Sequence, residues 1–267
     1  PGITLTNVEL NGVAVKAQQF NDPSVYQITS TEGFLPKKKY TITFRYSALI
    51  PQRVLRYGYH ESDGITWISQ WFPKIGVLRA ENTWACEPAR FYTEFFSEFS
   101  DYTLSVTLPS QYSIVANMKS VTSKTEGATT THTFTAARIH DCTFGFAPKF
   151  YISEGKWRDL PIRFVRSRPI PGSHADFIMK RTTSALEYFT EKIGPYPYDV
   201  ITIVELDSFG LDAGGMEYPS LIQITSRMSL MGRALDHELA HQWFYGVIGF
   251  NETDEPWLDE GLTSYYE

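Results

Sequence analysis

The segment His237-Glu238-Leu239-Ala240-His241 sets two imidazoles four residues apart. On a helix, residues at that spacing stand one above the other on the same face, so both rings can reach one metal ion. Glu238 follows the first histidine by one position. It would sit beside such an ion rather than on it, where a carboxylate can take a proton from an activated water. Catalytic zinc takes three protein ligands and keeps a fourth position open. Glu260, nineteen residues after His241 in Trp257-Leu258-Asp259-Glu260-Gly261, is the candidate third ligand. Asp254, Glu255 and Asp259 are the alternatives, and a carboxylate at a helix start also meets the helix dipole without any metal. A His₂Glu set with a base beside it suits hydrolysis. Structural zinc sites are closed and usually rich in cysteine.

Those residues need two helices to hold them. A Leu-, Met-, Trp- and Phe-rich stretch predicts one helix from about 227 to 248, and a second opens near Trp257. Upstream, Ile178, Ala185, Leu186, Phe189 and Ile193 fall on one helical face, with Ser173 as the expected N-cap. Gly194-Pro195-Tyr196-Pro197 ends that helix. Val200 to Leu206 reads as a buried strand, and Gly214 to Thr225 as another. Residues 1–168 read differently. Runs such as Tyr40–Tyr46, Tyr102–Leu108 and Thr131–Phe134 are rich in Thr, Val, Tyr and Phe and are separated by Gly, Pro, Asn and Ser. The expected class is α+β, with an antiparallel β-sandwich over 1–168 and the start of a catalytic domain over 169–267.

The 267 residues are 42% hydrophobic and 20% charged, with a formal net charge of −6. That balance suits a folded core and offers no basic face to meet nucleic-acid phosphates. No stretch has the length and apolarity of a membrane-spanning helix. The two cysteines, Cys86 and Cys142, leave pairing open. The chain opens at Pro1 inside a strand-like pattern, so it is expected to be part of a longer protein. His60, His132, His140 and His174 lie outside ligand spacing and read as surface or strand histidines. The neighbours His140 and Asp141 read as structural. Trp243 and Phe244 read as core behind the metal helix, and Lys37-Lys38-Lys39 as a solvated loop.

HELAHQW, eighteen intervening residues and the Glu of WLDEG resemble the gluzincin zinc metallopeptidases. More narrowly, the chain is similar to the aminopeptidase N-like family, which includes leukotriene hydrolase. Gly214-Gly215-Met216-Glu217-Tyr218 matches that family's Gly-Ala-Met-Glu-Asn motif at three of five positions, with Gly215 and Tyr218 replacing Ala and Asn. Gly194-Pro195-Tyr196-Pro197-Tyr198 also looks like the family. The resemblance implies a β-sandwich followed by a thermolysin-like catalytic domain holding one zinc ion on His237, His241 and Glu260. Glu238 would be the general base. Glu217 would grip the α-ammonium of a peptide with a free N-terminus. Gly214 and Gly215 would leave the backbone open for pairing with the peptide, and Met216 would line the pocket for the first side chain. Gln70, in Ser69-Gln70-Trp71-Phe72-Pro73, resembles the family's polar residue that reaches into the site from the sandwich. The family's transition-state tyrosine lies well beyond the third ligand. Tyr265 and Tyr266 are not at that position, so the oxyanion donor is expected after residue 267.

Three other readings stay open. A thermolysin-type endopeptidase shares the metal site but lacks an ammonium anchor. An incomplete fragment would act only as a binding domain. A non-peptide hydrolase would use the same metal. For Glu217, the plain alternative is a strand carboxylate paired with an arginine.

Overall fold

The computed structural model describes residues 3–267 except 21, 53–55, 62–63, 88–93 and 207–213, and the side chain of Met228. Antiparallel strands dominate up to residue 166. The strand Ser100–Pro109 pairs with Thr129–Ile139, which pairs with Lys119–Glu126. A four-stranded sheet runs Ser113–Ala116, Phe144–Ala147, Ile65–Ile68, Tyr57–His60. These two sheets share a core of Ile68, Leu104, Ala116, Phe134, Ile139 and Phe144, which gives the layered β-rich part expected from the alternating runs. The Thr107 and Thr131 hydroxyls bond across the ladder at 2.8 Å. The strand Lys119–Glu126 is exposed along its whole length, and Lys119, Lys124 and Glu126 charge that sheet edge. A third sheet places Ile3–Leu10 between Val13–Ala14 and Ile42–Ala48.

The site is carried by a five-stranded mixed sheet in the order Tyr151–Trp157, Leu160–Arg166, Ile201–Leu206, Leu221–Thr225, Gly215–Met216. Two of its strands precede residue 168 and three follow it. The strands Leu160–Arg166, Ile201–Leu206 and Leu221–Thr225 run parallel. Parallel strands need a crossover, and helix α1 (Gly172–Lys192) supplies it between the first two. Helix α2 (Met228–Ala240) packs with α1 on the same sheet face, over Ile162, Phe164, Ile201, Ile203, Ile222 and Ile224. The opposite face meets Ile65, Trp67, Val115 and Phe150 from the β-rich part. Being covered on both faces, the central strands read as continuous apolar runs rather than alternating ones. Helix α3 (Glu260–Tyr266) follows a 3₁₀ turn at Pro256–Leu258 and packs against α2.

Three expected boundaries move. Pro171, not Ser173, caps α1, so the helix start is set by proline's fixed φ rather than by a hydroxyl. The helix expected to reach 248 ends at Ala240. Beyond it the chain turns, Tyr245 adopts φ 137°, and two carbonyls are taken by distant side chains: Tyr198 Oη donates to Gly246 O at 2.5 Å and His140 Nε2 bonds Tyr245 O at 2.8 Å. The strand expected over 214–225 is a hairpin. Gly215 pairs with Ile224 and Met216 with Gln223, across a turn in which Ser220 has φ 61°.

The expected face of α1 is the buried one, with Ile178, Leu186 and Phe189 at 1% exposure or less. The Leu186→Ala protein should lose about 2–5 kcal/mol of unfolding free energy, read from the shift in urea midpoint.

Candidate metal centre and its surroundings

His237 stands on the last turn of α2 and His241 on the first residue after it. Their Nε2 atoms lie 3.2 Å apart. From α3, Glu260 Oε2 comes within 3.2 Å of His237 Nε2 and 3.9 Å of His241 Nε2. Two ligand atoms on a tetrahedral zinc, each 2.0–2.1 Å from it, would lie about 3.3–3.4 Å apart. The two nitrogens and one oxygen therefore fit a single zinc in both chemistry and spacing. The other carboxylates weighed for this role stand elsewhere. Asp254 meets Arg79 at 3.4 Å, Glu255 accepts from Trp257 Nε1 at 2.6 Å, and Asp259 lies on the far side of His241.

Both rings are held from behind. His237 Nδ1 is 2.7 Å from Glu267 Oε2, and His241 Nδ1 is 2.6 Å from Asp259 Oδ1. His241 Nδ1 hydrogen-bonds the Phe244 carbonyl at 3.0 Å, and an acceptor on Nδ1 fixes the tautomer and leaves Nε2 free for a metal. The short segment 259–267 thus delivers a carboxylate to the centre and one behind each imidazole.

Glu238 is 5% exposed, and its Oε2 is buried with no hydrogen-bond partner. Burial, and next the nearby Glu217 carboxylate, push its pKa upward. Oxygens of Glu217 and Glu238 and a nitrogen of His241 lie within 4.8 Å of one another, so Glu217 joins the same pocket. Burial raises Glu217 too, against the pull of His241. A Cβ on Gly215 would collide with the Gln223 carbonyl and with the Glu238 side chain, so this glycine lets Glu238 lie against the hairpin. Gly214 gives its carbonyl to Thr225 N at 3.0 Å. Gly215–Met216 is the outermost strand of its sheet.

Strand alternation sends Met216 to the opposite face from Gly215. It is 1% exposed and packs with Ile65, Trp67 and Tyr218 in the core rather than lining an open pocket. Tyr218, which stands where the family motif has Asn, is fully buried. Gln70 adopts φ 51° and donates from Nε2 to Glu94 at 3.2 Å and Asp141 at 3.1 Å, while its Oε1 is buried without a partner. It belongs to the β-rich side and connects to the centre through Glu94, which also pairs with Arg56. The Arg56 charge in turn acts on Glu217 and Glu260.

Gln242 carries no signal at sequence level beyond its place after His241. Its Oε1 accepts from Ser220 N at 2.7 Å and its Nε2 donates to Tyr218 O at 3.2 Å, which clamps the hairpin turn to the metal helix. Trp243 and Phe244 are buried behind the helix as expected. Tyr265 is 80% exposed, and Tyr266 stacks on Phe244. The remaining histidines are structural but not superficial. His60 and His140 are buried, and His174 lies on α1 against Glu205 at 2.5 Å. The two cysteines are unpaired, Cys142 buried and Cys86 exposed.

Residues 177–267 match the Peptidase family M1 domain. This part of the chain is similar to that family. Aminopeptidase 2 of Candida albicans is 30% identical over 129 residues, which is 43% of this chain and 14% of that protein. Mouse glutamyl aminopeptidase is 25% identical over 185 residues, 63% of this chain and 19% of that protein. Human aminopeptidase N is 28% identical over 118 residues, 39% of this chain and 12% of that protein. The chain spans less than a fifth of the length of these M1 relatives. The M1 zinc metallopeptidase of Deinococcus radiodurans has the same fold, with a TM-score of 0.70 at 19% identity over 99% of this chain and 60% of that one.

His140 joins the β-rich part to the turn after α2. Burial lowers its pKa to about 4, so it is neutral in the folded protein at pH 7. An unfolded imidazole titrates near 6.5. Between those values the unfolded chain binds more protons, so this contribution to stability is lost as pH falls from about 6.5 to about 4. In urea titrations across that range, the His140→Gln protein should lose less stability than wild type.

Proposed function

We propose that the protein is a zinc-dependent aminopeptidase that hydrolyses the N-terminal peptide bond of peptides with a free N-terminus. The observation that carries this reading is the convergence of His237, His241 and Glu260, with Glu238 unpartnered beside them and Glu217 in the same pocket. Zinc, when bound, supplies Lewis-acid polarisation of the scissile carbonyl and of the attacking water. Glu238 Oε2 takes a proton from that water and passes it to the leaving amine. Its raised pKa suits a group that must both accept and return a proton near neutral pH.

Glu217 accepts hydrogen bonds from the substrate's α-ammonium. An anchor at that distance from the centre leaves room for one residue before the scissile bond, which is the positional basis for trimming from an end. The edge strand Gly215–Met216 offers its outer backbone to an extended peptide, which would add to the sheet as a further strand. The relatives named aminopeptidases point the same way. A mutant of the Deinococcus radiodurans enzyme is described bound to a Tyr-Ser-Ala substrate.

The endopeptidase reading uses the same centre but has no need of Glu217. A matched pair of peptides, one free and one N-acetylated, separates the two. Only the free peptide should be cleaved, and equal rates on both would remove the ammonium anchor. In the Glu238→Gln protein, zinc content by atomic emission should stay stoichiometric while kcat falls by about 10²–10⁴-fold. Undiminished turnover in that variant would exclude Glu238 as the base.

A further inference from the structure

The hairpin that carries Glu217 has little of its own to hold it. Its outer strand, Gly215–Met216, is two residues long and pairs with the neighbouring strand at two positions. A ladder that short is marginal by itself. The metal helix and the turn after it supply the rest. At one end of the hairpin, Glu238 fills the space that a Cβ on Gly215 would need. At the other end, Gln242 meets the turn. Its Oε1 accepts from Ser220 N at 2.7 Å, and its Nε2 donates to Tyr218 O at 3.2 Å and reaches Glu217 O at 3.4 Å. From the β-rich side, Ser220 Oγ donates to Asn117 O at 2.9 Å. Gln242 is fully buried, and Ser220 is held at φ 61°.

We propose that Gln242 is a positioning residue that sets the distance between the metal ligands and the ammonium anchor Glu217. The inference rests on the aminopeptidase reading above. Gln242 follows His241 directly in the chain, so one end of its side chain is tied to the centre. The other end grips the backbone of residues 217–220. A backbone N–H can only donate, and the carbonyls of Glu217 and Tyr218 can only accept. A side chain with an acceptor and a donor side by side satisfies them together, and the amide of Gln242 does so in one orientation. The hairpin can then neither slide past the end of α2 nor lift from it without breaking buried hydrogen bonds. Glu217 is thereby kept at a spacing that admits a single residue between anchor and scissile bond. A misplacement of about 1 Å at such a site can lower the rate about 10²-fold.

The test uses the zinc-loaded full chain and a pair of ligands that needs no turnover, L-leucine and N-acetyl-L-leucine, titrated calorimetrically. Wild type should prefer the free amino acid. The Gln242→Leu protein, close in size but without the amide, should bind L-leucine about 10-fold more weakly and N-acetyl-L-leucine as wild type does. Its zinc affinity, by competition with a chromogenic chelator, should stay within about threefold of wild type, because His237, His241 and Glu260 keep their own supports. Glu217→Gln removes the anchor. In that background the further change Gln242→Leu should leave L-leucine binding where it is, since a residue acting through Glu217 has nothing left to act on.

A residue that merely fills the core would lower the melting temperature of Gln242→Leu and leave the preference for the free amino acid intact. That result overturns the proposal. So does a loss of L-leucine affinity that persists in the Glu217→Gln background, or a zinc affinity that falls along with it, since Gln242 would then act by another route. If Gln242→Leu does not fold, Gln242→Asn, one methylene too short to reach both partners, takes its place under the same criteria. A wild-type protein that binds the two ligands equally, or neither, defeats the ammonium anchor and this proposal with it. A wild-type protein that prefers L-leucine, with Gln242 variants that keep the preference, leaves the aminopeptidase reading standing and removes Gln242 alone.

Discussion

Two imidazoles four apart on a helix face the same way whatever lies opposite them. A metal centre needs a third donor, and only tertiary packing can bring it. Here that task falls to α3, seven residues long and set against the end of α2. Its position decides more than one ligand. Asp259 and Glu267 ride on the same segment and meet the Nδ1 atoms of His241 and His237, so a shift of α3 would disturb all three contacts together. Thr263 is fully buried on the α3 face that looks at His241, with its hydroxyl 3.2 Å from Nδ1. The mixed sheet beneath, covered on both faces, holds α2 in place for this meeting.

Placing acids around a buried centre is costly unless each finds a cation, a donor or a proton. The pocket answers in different ways at each position. Glu260 faces both histidines, Glu94 pairs with Arg56, Asp141 takes Lys74 and the Gln70 amide, and Glu252 accepts the backbone N–H of Glu94. Glu217 and Glu238 are the pair left facing one another, both raised by burial. On the proposed reading, that leftover pair would meet a substrate's ammonium and an attacking water. Residual destabilisation at a site of chemistry is the usual pattern.

The parts of this site legible in the sequence were those set by local geometry. The spacing of His237, Glu238 and His241 encodes a helical face, and the apolar runs at 201–206 and 221–225 encode strands buried on both sides. Glu260 was legible only with the two histidines already in hand. What could not be read depends on distant partners. Nothing in the local pattern announces that α2 stops at Ala240, because the carbonyls beyond it are claimed by Tyr198 and His140. Glu252 and Glu94 are ordinary acids in irregular segments until folding joins them. Met216 was expected at an open pocket because its motif is read as a unit, yet alternation turns it into the core. The hairpin turn at 218–220 depends on Gln242, a residue that no periodicity singles out.

The early stop of α2 also has an electrostatic side. Thirteen residues of aligned peptide dipoles end where the two histidines stand, so the negative pole of the helix points into the centre. Together with the surrounding carboxylates it creates a potential well for positive charge at the mouth of the pocket. On the proposed reading, capture of a cationic chain end would then be assisted over a distance of about a Debye length, roughly 10 Å at 0.1 M ionic strength, and would slow as added salt shortens that reach. The turn that ends the helix thus does more than change direction: it sets how far into solution the centre's field extends.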